Sequence, residues 1–173
     1  MDLDAVIRKV PDFPKPGILF YDITSIFTRP EAFAYVLDRM TEAYGDRAID
    51  GVVAIESRGF LVAGAYCARM GKPLVLARKK GKLPGKTISQ SYALEYGEAT
   101  LEMHVADIVP GQLYLIVDDL IATGGTIEAV AAMLARQGAR VAGVFSIIGL
   151  PFLSYRSKLA AYDVKTLIEY HAE

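Results

Sequence analysis

Apolar positions along this chain follow two periods. "GVVAIE" (51–56), "PLVLARK" (73–79), "QLYLIV" (112–117) and "RVAGVFSIIGL" (140–150) are short, β-branched and apolar almost throughout. Strands without a polar face are buried on both sides, as in a parallel sheet. Longer segments before and between them repeat at helical spacing. "RPEAFAYVLDRMTEAYG" (29–45) has a proline near its start, acids early and Gly45 at its end. "RGFLVAGAYCARMG" (58–71) closes on Gly71, and "TIEAVAAMLARQGA" (126–139) puts Ile127, Val130 and Leu134 on one face. These are helix start and stop signals. Strand and helix in alternation predict a parallel sheet covered by helices.

Weaker patterns fill the rest. Residues 2–10 place Leu3, Val6, Ile7 and Val10 at helical spacing, which predicts a short amphipathic helix. "PDFPKPGILFYDIT" (11–24) opens with three prolines and a glycine in seven residues, so it reads as an ordered loop or arm. "KGKLPGKTISQ" (80–90) is rich in lysine, glycine and proline and predicts a mobile loop. "SYALEYG" and "ATLEMHV" alternate apolar and polar residues about Gly97-Glu98, the pattern of a β-hairpin. "YDVKTLIEY" (162–170) reads as an edge strand. The predicted fold is α/β: a doubly wound, mainly parallel five-stranded sheet with flanking helices. A lid hairpin (about 78–104) and a small N-terminal arm or hood (about 1–30) complete one domain over 1–173.

Composition narrows the function classes. Hydrophobic residues make up 53% of the 173 and charged residues 23%, typical of a globular chain with a large core. A net charge of −1 gives no global field for nucleic acid or an anionic membrane, so neither is expected as a partner. A single cysteine, Cys67, excludes an internal disulfide framework, fits a reducing cytoplasm, and in its apolar stretch reads as a buried packing residue. The start "MDLDAVIRKV" lacks the pattern of a signal peptide. No apolar run approaches the ~18 residues of a membrane span.

The chemistry concentrates after the third core strand. "QLYLIV" ends in two adjacent carboxylates, Asp118 and Asp119, and "ATGGT" (122–126) then leads into a helix. Ligands of such sheets bind beyond the carboxyl ends of the strands. Gly124 and Gly125 allow close backbone approach, Thr123 and Thr126 bring hydroxyls, and the helix start favours an anion. That describes a phosphate cradle without lysine. The carboxylates must meet another part of the same ligand, and a vicinal diol can donate to both. A phosphorylated polyol such as ribose 5-phosphate carries both groups. No Walker loop and no dinucleotide fingerprint is present. His104 and His171 have no metal-ligand spacing.

These residues resemble a known family. "VDDLIATGGT" (117–126) looks like the phosphoribosyl-diphosphate (PRPP) motif of type I phosphoribosyltransferases. "FPKPGILFYDIT" (13–24), "ESRGF" (56–60), "ARKKGKLPG" (77–85) and "YALEYGEATLEMH" (92–104) follow the order found in its adenine-specific members, over nearly the whole chain.

The resemblance implies that Asp118 and Asp119 hold the ribose hydroxyls. It implies that Ala122, Thr123, Gly124, Gly125 and Thr126 bind the 5-phosphate. Ser57 and Arg58 would meet the diphosphate, with a strained or cis peptide expected near Ser57-Arg58. Arg78, Lys79 and Lys82 would add positive charge there, some of it reaching a neighbouring subunit's site in a homodimer. Phe20 and Leu120 would enclose adenine, and backbone groups of Leu19 and Tyr21 would read its edge. The family often carries Arg or Lys where this chain has Tyr21, but the implied contact is main-chain. Glu95 would approach adenine N7 and manage its proton, and Tyr96 would lie near the diphosphate under a closed lid. Mg²⁺ is the implied cofactor, held mainly by PRPP oxygens and water, with no protein ligand singled out.

The implied reaction is adenine and PRPP to AMP and diphosphate, through an oxocarbenium-like transition state with inversion at C1. Two rivals are the same chemistry on hypoxanthine or guanine, and a non-catalytic PRPP sensor on the same fold. A sensor would carry a further partner-binding segment or lack lid residues, whereas Arg58, Glu95 and Tyr96 are all present.

Overall fold

The computed structural model describes residues 1–93 and 97–172. Its centre is a set of parallel strands made by the apolar runs. β3 (Gly51–Ile55) pairs with β4 (Leu74–Lys79) on one side and β7 (Leu113–Ile121) on the other. β7 pairs with β8 (Arg140–Gly149), and β8 with the edge strand β9 (Val164–Glu169), all in parallel. The five therefore lie in the order β4-β3-β7-β8-β9.

The central strand β3 is apolar and buried on both faces because each face meets a different layer. Val52 and Ala54 pack with α2 (Pro30–Tyr44) and α3 (Gly59–Met70), while Val53 and Ile55 pack with α4 (Gly125–Arg136). The helices end where the sequence predicts: Pro30 starts α2, and Gly71 caps α3 at φ 63°. Cys67 is buried in the first layer, and burial pushes its thiol up to about 11. No described helix is long and apolar enough to cross a membrane.

Several expectations need correction. Residues 2–10 are not a helix. Amides of Val6 and Ile7 fold back on the Leu3 carbonyl for one turn, burying Leu3 and Ile7, and β1 (Arg8–Pro11) begins at once. One turn of apolar spacing is too short to outcompete strand pairing. The proline-rich arm is also more regular than expected. Its second half is β2 (Leu19–Asp22), antiparallel to β1 in a separate two-stranded sheet. A four-residue helix α1 (Thr24–Phe27) follows.

The hairpin strands are β5 (Thr87–Ala93) and β6 (Glu98–His104). β5 begins inside the stretch expected to be a loop, so the irregular part is only 80–86. β6 also pairs with β4, Arg78 opposite Glu102 and Lys79 opposite Leu101, which carries the main sheet to seven strands. β7 runs past Val117 to Ile121, so Asp118 and Asp119 lie within it rather than beyond it. Pairing with β3 stops at Val117, but the longer β8 continues opposite Asp118, Leu120 and Ile121. One edge of β7 is thus uncovered where the carboxylates sit.

Candidate active site

The two carboxylates are held in a crowded corner. Asp118 and Asp119 are 5% and 6% exposed. Asp118 Oδ1 accepts from the Asp119 amide at 2.8 Å. Burial, and then the neighbouring Asp119 charge, raise the Asp118 carboxyl well above its ordinary range. The first residue of α3, Gly59, permits this arrangement. A Cβ there would lie 3.0 Å from the Val117 carbonyl oxygen and 3.2 Å from Asp118 Cα, both backbone atoms.

Arg58 Nε lies 2.7 Å from Asp119 Oδ2 as an ion pair. Beyond that ion pair, Oδ2 is a buried oxygen with no hydrogen-bond donor among the described residues.

Ala122 and Thr123 lead from β7 to Gly124, which takes the left-handed conformation at φ 81° and opens α4. No side chain caps that helix start, so the amides at Gly125 and Thr126 have no side-chain acceptor. The cradle is supported from two directions. Leu159 Cγ is 3.2 Å from where a Gly124 Cβ would sit, and a Tyr92 ring carbon is 3.3 Å from where a Gly125 Cβ would sit. The hairpin strand β5 therefore packs directly on the cradle.

Ser57 and Arg58 join β3 to α3, with Ser57 exposed. A non-proline cis bond lies at Glu56-Ser57, beside Ser57-Arg58 as expected. Arg78, beside them on β4, is engaged by Glu56: Nε lies 3.3 Å from Glu56 Oε2, which also accepts from the Lys79 amide at 2.9 Å. Partial burial alone would raise the Glu56 carboxyl, but the Lys79 amide and Arg78 hold it below its ordinary range. Arg78 also donates to the Lys82 carbonyl at 3.2 Å, and buried Glu102 accepts from the Gly81 amide at 3.0 Å. The exposed Lys79 at the end of β4 and the loop carrying exposed Lys82 are thus pinned at their base.

On the arm, the Phe20 ring lies edge-on to Phe13 at 5.0 Å, and the Arg58 guanidinium carbon lies 5.6 Å from its centroid. Leu19 and Leu120 are partly buried against the same core layer. Pro11, opposite Leu19, has no N–H to offer its carbonyl. Tyr21 is buried and its ring points to the C-terminal Tyr170 instead. The structure therefore brings together residues from four separated motifs: the arm, Ser57-Arg58, Arg78, and the Asp-Asp strand with its cradle. Glu95 and Tyr96 lie outside the described residues.

Sequence reasoning missed Glu56, Gly59, Tyr92, Glu102 and Leu159 as supports. Glu56 and Gly59 lie within "ESRGF", and an acid and a glycine flanking Ser57-Arg58 were a readable signal. Leu159 and Glu102 had none, because what they touch is distant in sequence.

Comparison with known proteins agrees with the arrangement. Residues 23–169 match the model of the phosphoribosyl transferase domain family. An adenine phosphoribosyltransferase of Treponema denticola is 57% identical over 171 residues, 99% of this chain and 90% of that protein. The crystal structure of the adenine phosphoribosyltransferase of Thermoanaerobacter pseudethanolicus superposes with a TM-score of 0.93 at 42% identity, covering 96% of this chain and 97% of that one. The Saccharomyces cerevisiae enzyme, solved with adenine and an imino-altritol bisphosphate, gives 0.89 at 36% identity over 96% of each chain. This chain belongs to the phosphoribosyltransferase family, among its adenine phosphoribosyltransferases.

Proposed function

We propose that this chain transfers the 5-phosphoribosyl group of PRPP to adenine, forming AMP and diphosphate, where the arm, Arg58, the carboxylate pair and the cradle meet. One line of contacts carries the reading: Phe20 to Arg58 at 5.6 Å, and Arg58 to Asp119 at 2.7 Å, beside an uncapped helix start. A base, a leaving group, a diol and a phosphate need that order of surfaces.

Asp118 and Asp119 grip the ribose 2- and 3-hydroxyls, which gives Asp119 Oδ2 the donor it lacks. Residues 122–126 take the 5-phosphate on open amides and hydroxyls. As the C1–O bond loosens, ribose gains oxocarbenium-like charge and the departing diphosphate gains negative charge. Arg58 leaves Asp119 for the diphosphate, and Arg78, Lys79 and Lys82 stand beside it. Adenine lies between Phe20 and Leu120, its edge read by backbone groups of Leu19 and Tyr21. N9 attacks C1 from the face opposite the leaving group, inverting C1. Glu95, by its place in the motif, manages the proton at N7, and Tyr96 closes on the diphosphate. The β5–β6 hairpin acts as the lid, excluding water that would hydrolyse PRPP.

Mg²⁺ would be held mainly by PRPP oxygens and water, with no protein ligand singled out. When bound it neutralises diphosphate charge. We place the enzyme in the cytoplasm as a homodimer, with exposed Lys79 and Lys82 available to a neighbouring subunit.

An AMP-formation assay with adenine, PRPP and Mg²⁺, run beside hypoxanthine and guanine, tests the reading. Turnover of adenine alone is expected, because the 6-oxo purines reverse the donor–acceptor pattern at position 6 and leave buried groups unpaired. Faster turnover of either oxo-purine would overturn it.

A further inference from the structure

Among the described residues the arm and the main sheet share no strand pairing, since β1 and β2 pair only with each other. Side chains must therefore fix where the arm sits. The closest ring pair among the described residues does this. Tyr21 of β2 and Tyr170, just beyond β9, stack with centroids 3.7 Å apart and planes 12° apart. Tyr170 belongs to the sheet side, because its amide donates to the Gly149 carbonyl at 3.1 Å, continuing the ladder of β9 on β8. Its hydroxyl donates to Asp4 Oδ1 at 2.6 Å. Asp4 also accepts from Lys9 Nζ at 2.7 Å, and Lys9 lies 5.8 Å from the Tyr170 ring centroid. The N-terminal turn, both arm strands and the end of the main sheet thus converge on one ring.

We propose that Tyr170 is a positioning residue for base recognition. By stacking on Tyr21 and latching to Asp4 it sets β2 at a fixed height over the carboxyl end of the sheet. Phe20 and the backbone of Leu19 and Tyr21, which flank or belong to the stacked residue, take their positions from it. This rests on the reading of the arm as the adenine site. It also accounts for Tyr21: with its contact to the base made by main chain, the side chain is free to anchor the strand from behind. Among the described residues no hydrogen bond or ring contact links Tyr170 to the cradle or the carboxylate pair, so its influence falls on one substrate.

The test is steady-state kinetics on Tyr170→Ala and Tyr170→Phe with Phe20→Ala alongside. Aromatic pairing energies place the expected rise in adenine KM for Tyr170→Ala at about three- to ten-fold. PRPP KM should stay within about two-fold, the spread of an untouched contact. Tyr170→Phe keeps the stack and loses only the Asp4 latch, so it should recover most of the adenine affinity. Equal rises in both KM values, an unchanged adenine KM, or a Phe variant as poor as Ala would each overturn the proposal. Should Tyr170→Ala unfold, Tyr170→Leu, which fills space without a ring to stack, replaces it with the same expected outcomes. Phe20→Ala separates the two levels. If it raises adenine KM and Tyr170→Ala does not, the positioning role fails alone. If neither variant moves adenine KM, the arm is not the base site and both readings fall.

Discussion

Asp118 and Asp119 are placed as a fold selected for stability alone would not place them. Two buried carboxylates share one corner, with Arg58 paired to only one of them. Burial and then Asp119 push the Asp118 carboxyl up, so its protonated form is the one the fold favours. Whatever stability the protonated group supports is therefore complete below its ordinary value of 3.8 and is lost as pH rises toward its own higher value. Asp118→Asn removes that repulsion at constant volume and keeps an oxygen for the Asp119 amide. It should melt higher at neutral pH, and a gain of about 1 kcal/mol raises Tm by roughly 2–4 °C in a chain of this size. With Asp118 as a ribose grip, as proposed, PRPP KM should rise by ten-fold or more, about 1.4 kcal/mol. Calorimetry and kinetics on the same variant decide it, and a lower Tm with unchanged PRPP affinity would make Asp118 merely structural. Glu95→Ala is expected to behave differently, lowering kcat far more than PRPP affinity; near-normal turnover would sink its assigned role.

At the scale of elements, the cradle depends on a support remote from it in sequence. α5 (Tyr155–Lys158) is followed by Leu159, which packs beneath Gly124. The anchor of α5 is Glu169 on β9, whose Oε1 accepts from the Tyr155 hydroxyl at 2.6 Å, Arg156 at 2.5 Å and Thr166 at 2.9 Å. Burial alone would raise this carboxyl, but those three donors bring it from 4.5 down to about 2. Glu169 therefore contributes stability that is present above pH 4.5 and is lost as pH falls toward about 2. Acid melting of Glu169→Gln against the parent should show the two curves converging through that window; a constant gap would refute it. The five parallel strands and three long helices could be read because each carries its own apolar period and punctuation. Residues 2–10 misled because a single helical turn and the start of a strand share the same apolar spacing. The pairing of β6 with β4, and the contact of Tyr170 with Asp4, join segments far apart in sequence, and no local pattern encodes a partner. The pattern of paired carboxylates and a Gly-Gly turn could be read for the opposite reason, as those residues lie within ten consecutive positions, 117–126, although their supports at Gly59, Tyr92 and Leu159 do not.

For the whole molecule, the net charge of −1 hides a local asymmetry. Arg78, Lys79 and Lys82 cluster at one rim, and the two lysines project into solvent while Arg78 is tied to Glu56. A rim tied at its base, with free ammonium groups, suits reaching across to a second copy's diphosphate. If Lys82 serves the neighbouring subunit, Arg58→Ala and Lys82→Ala damage different halves of a composite site. In a dimer of one subunit of each kind, one site then carries both defects and the other carries none. Random reassortment makes half of the dimers mixed, and each mixed dimer has one intact site of two. Mixing the two impaired proteins in equal amounts, after mild dissociation and reassembly, should therefore restore about a quarter of parental activity in a closed two-fold dimer. If Lys82 serves its own subunit, every site keeps a defect and mixing restores nothing. A monomer at assay concentration by sedimentation, with full activity, would remove the composite site altogether.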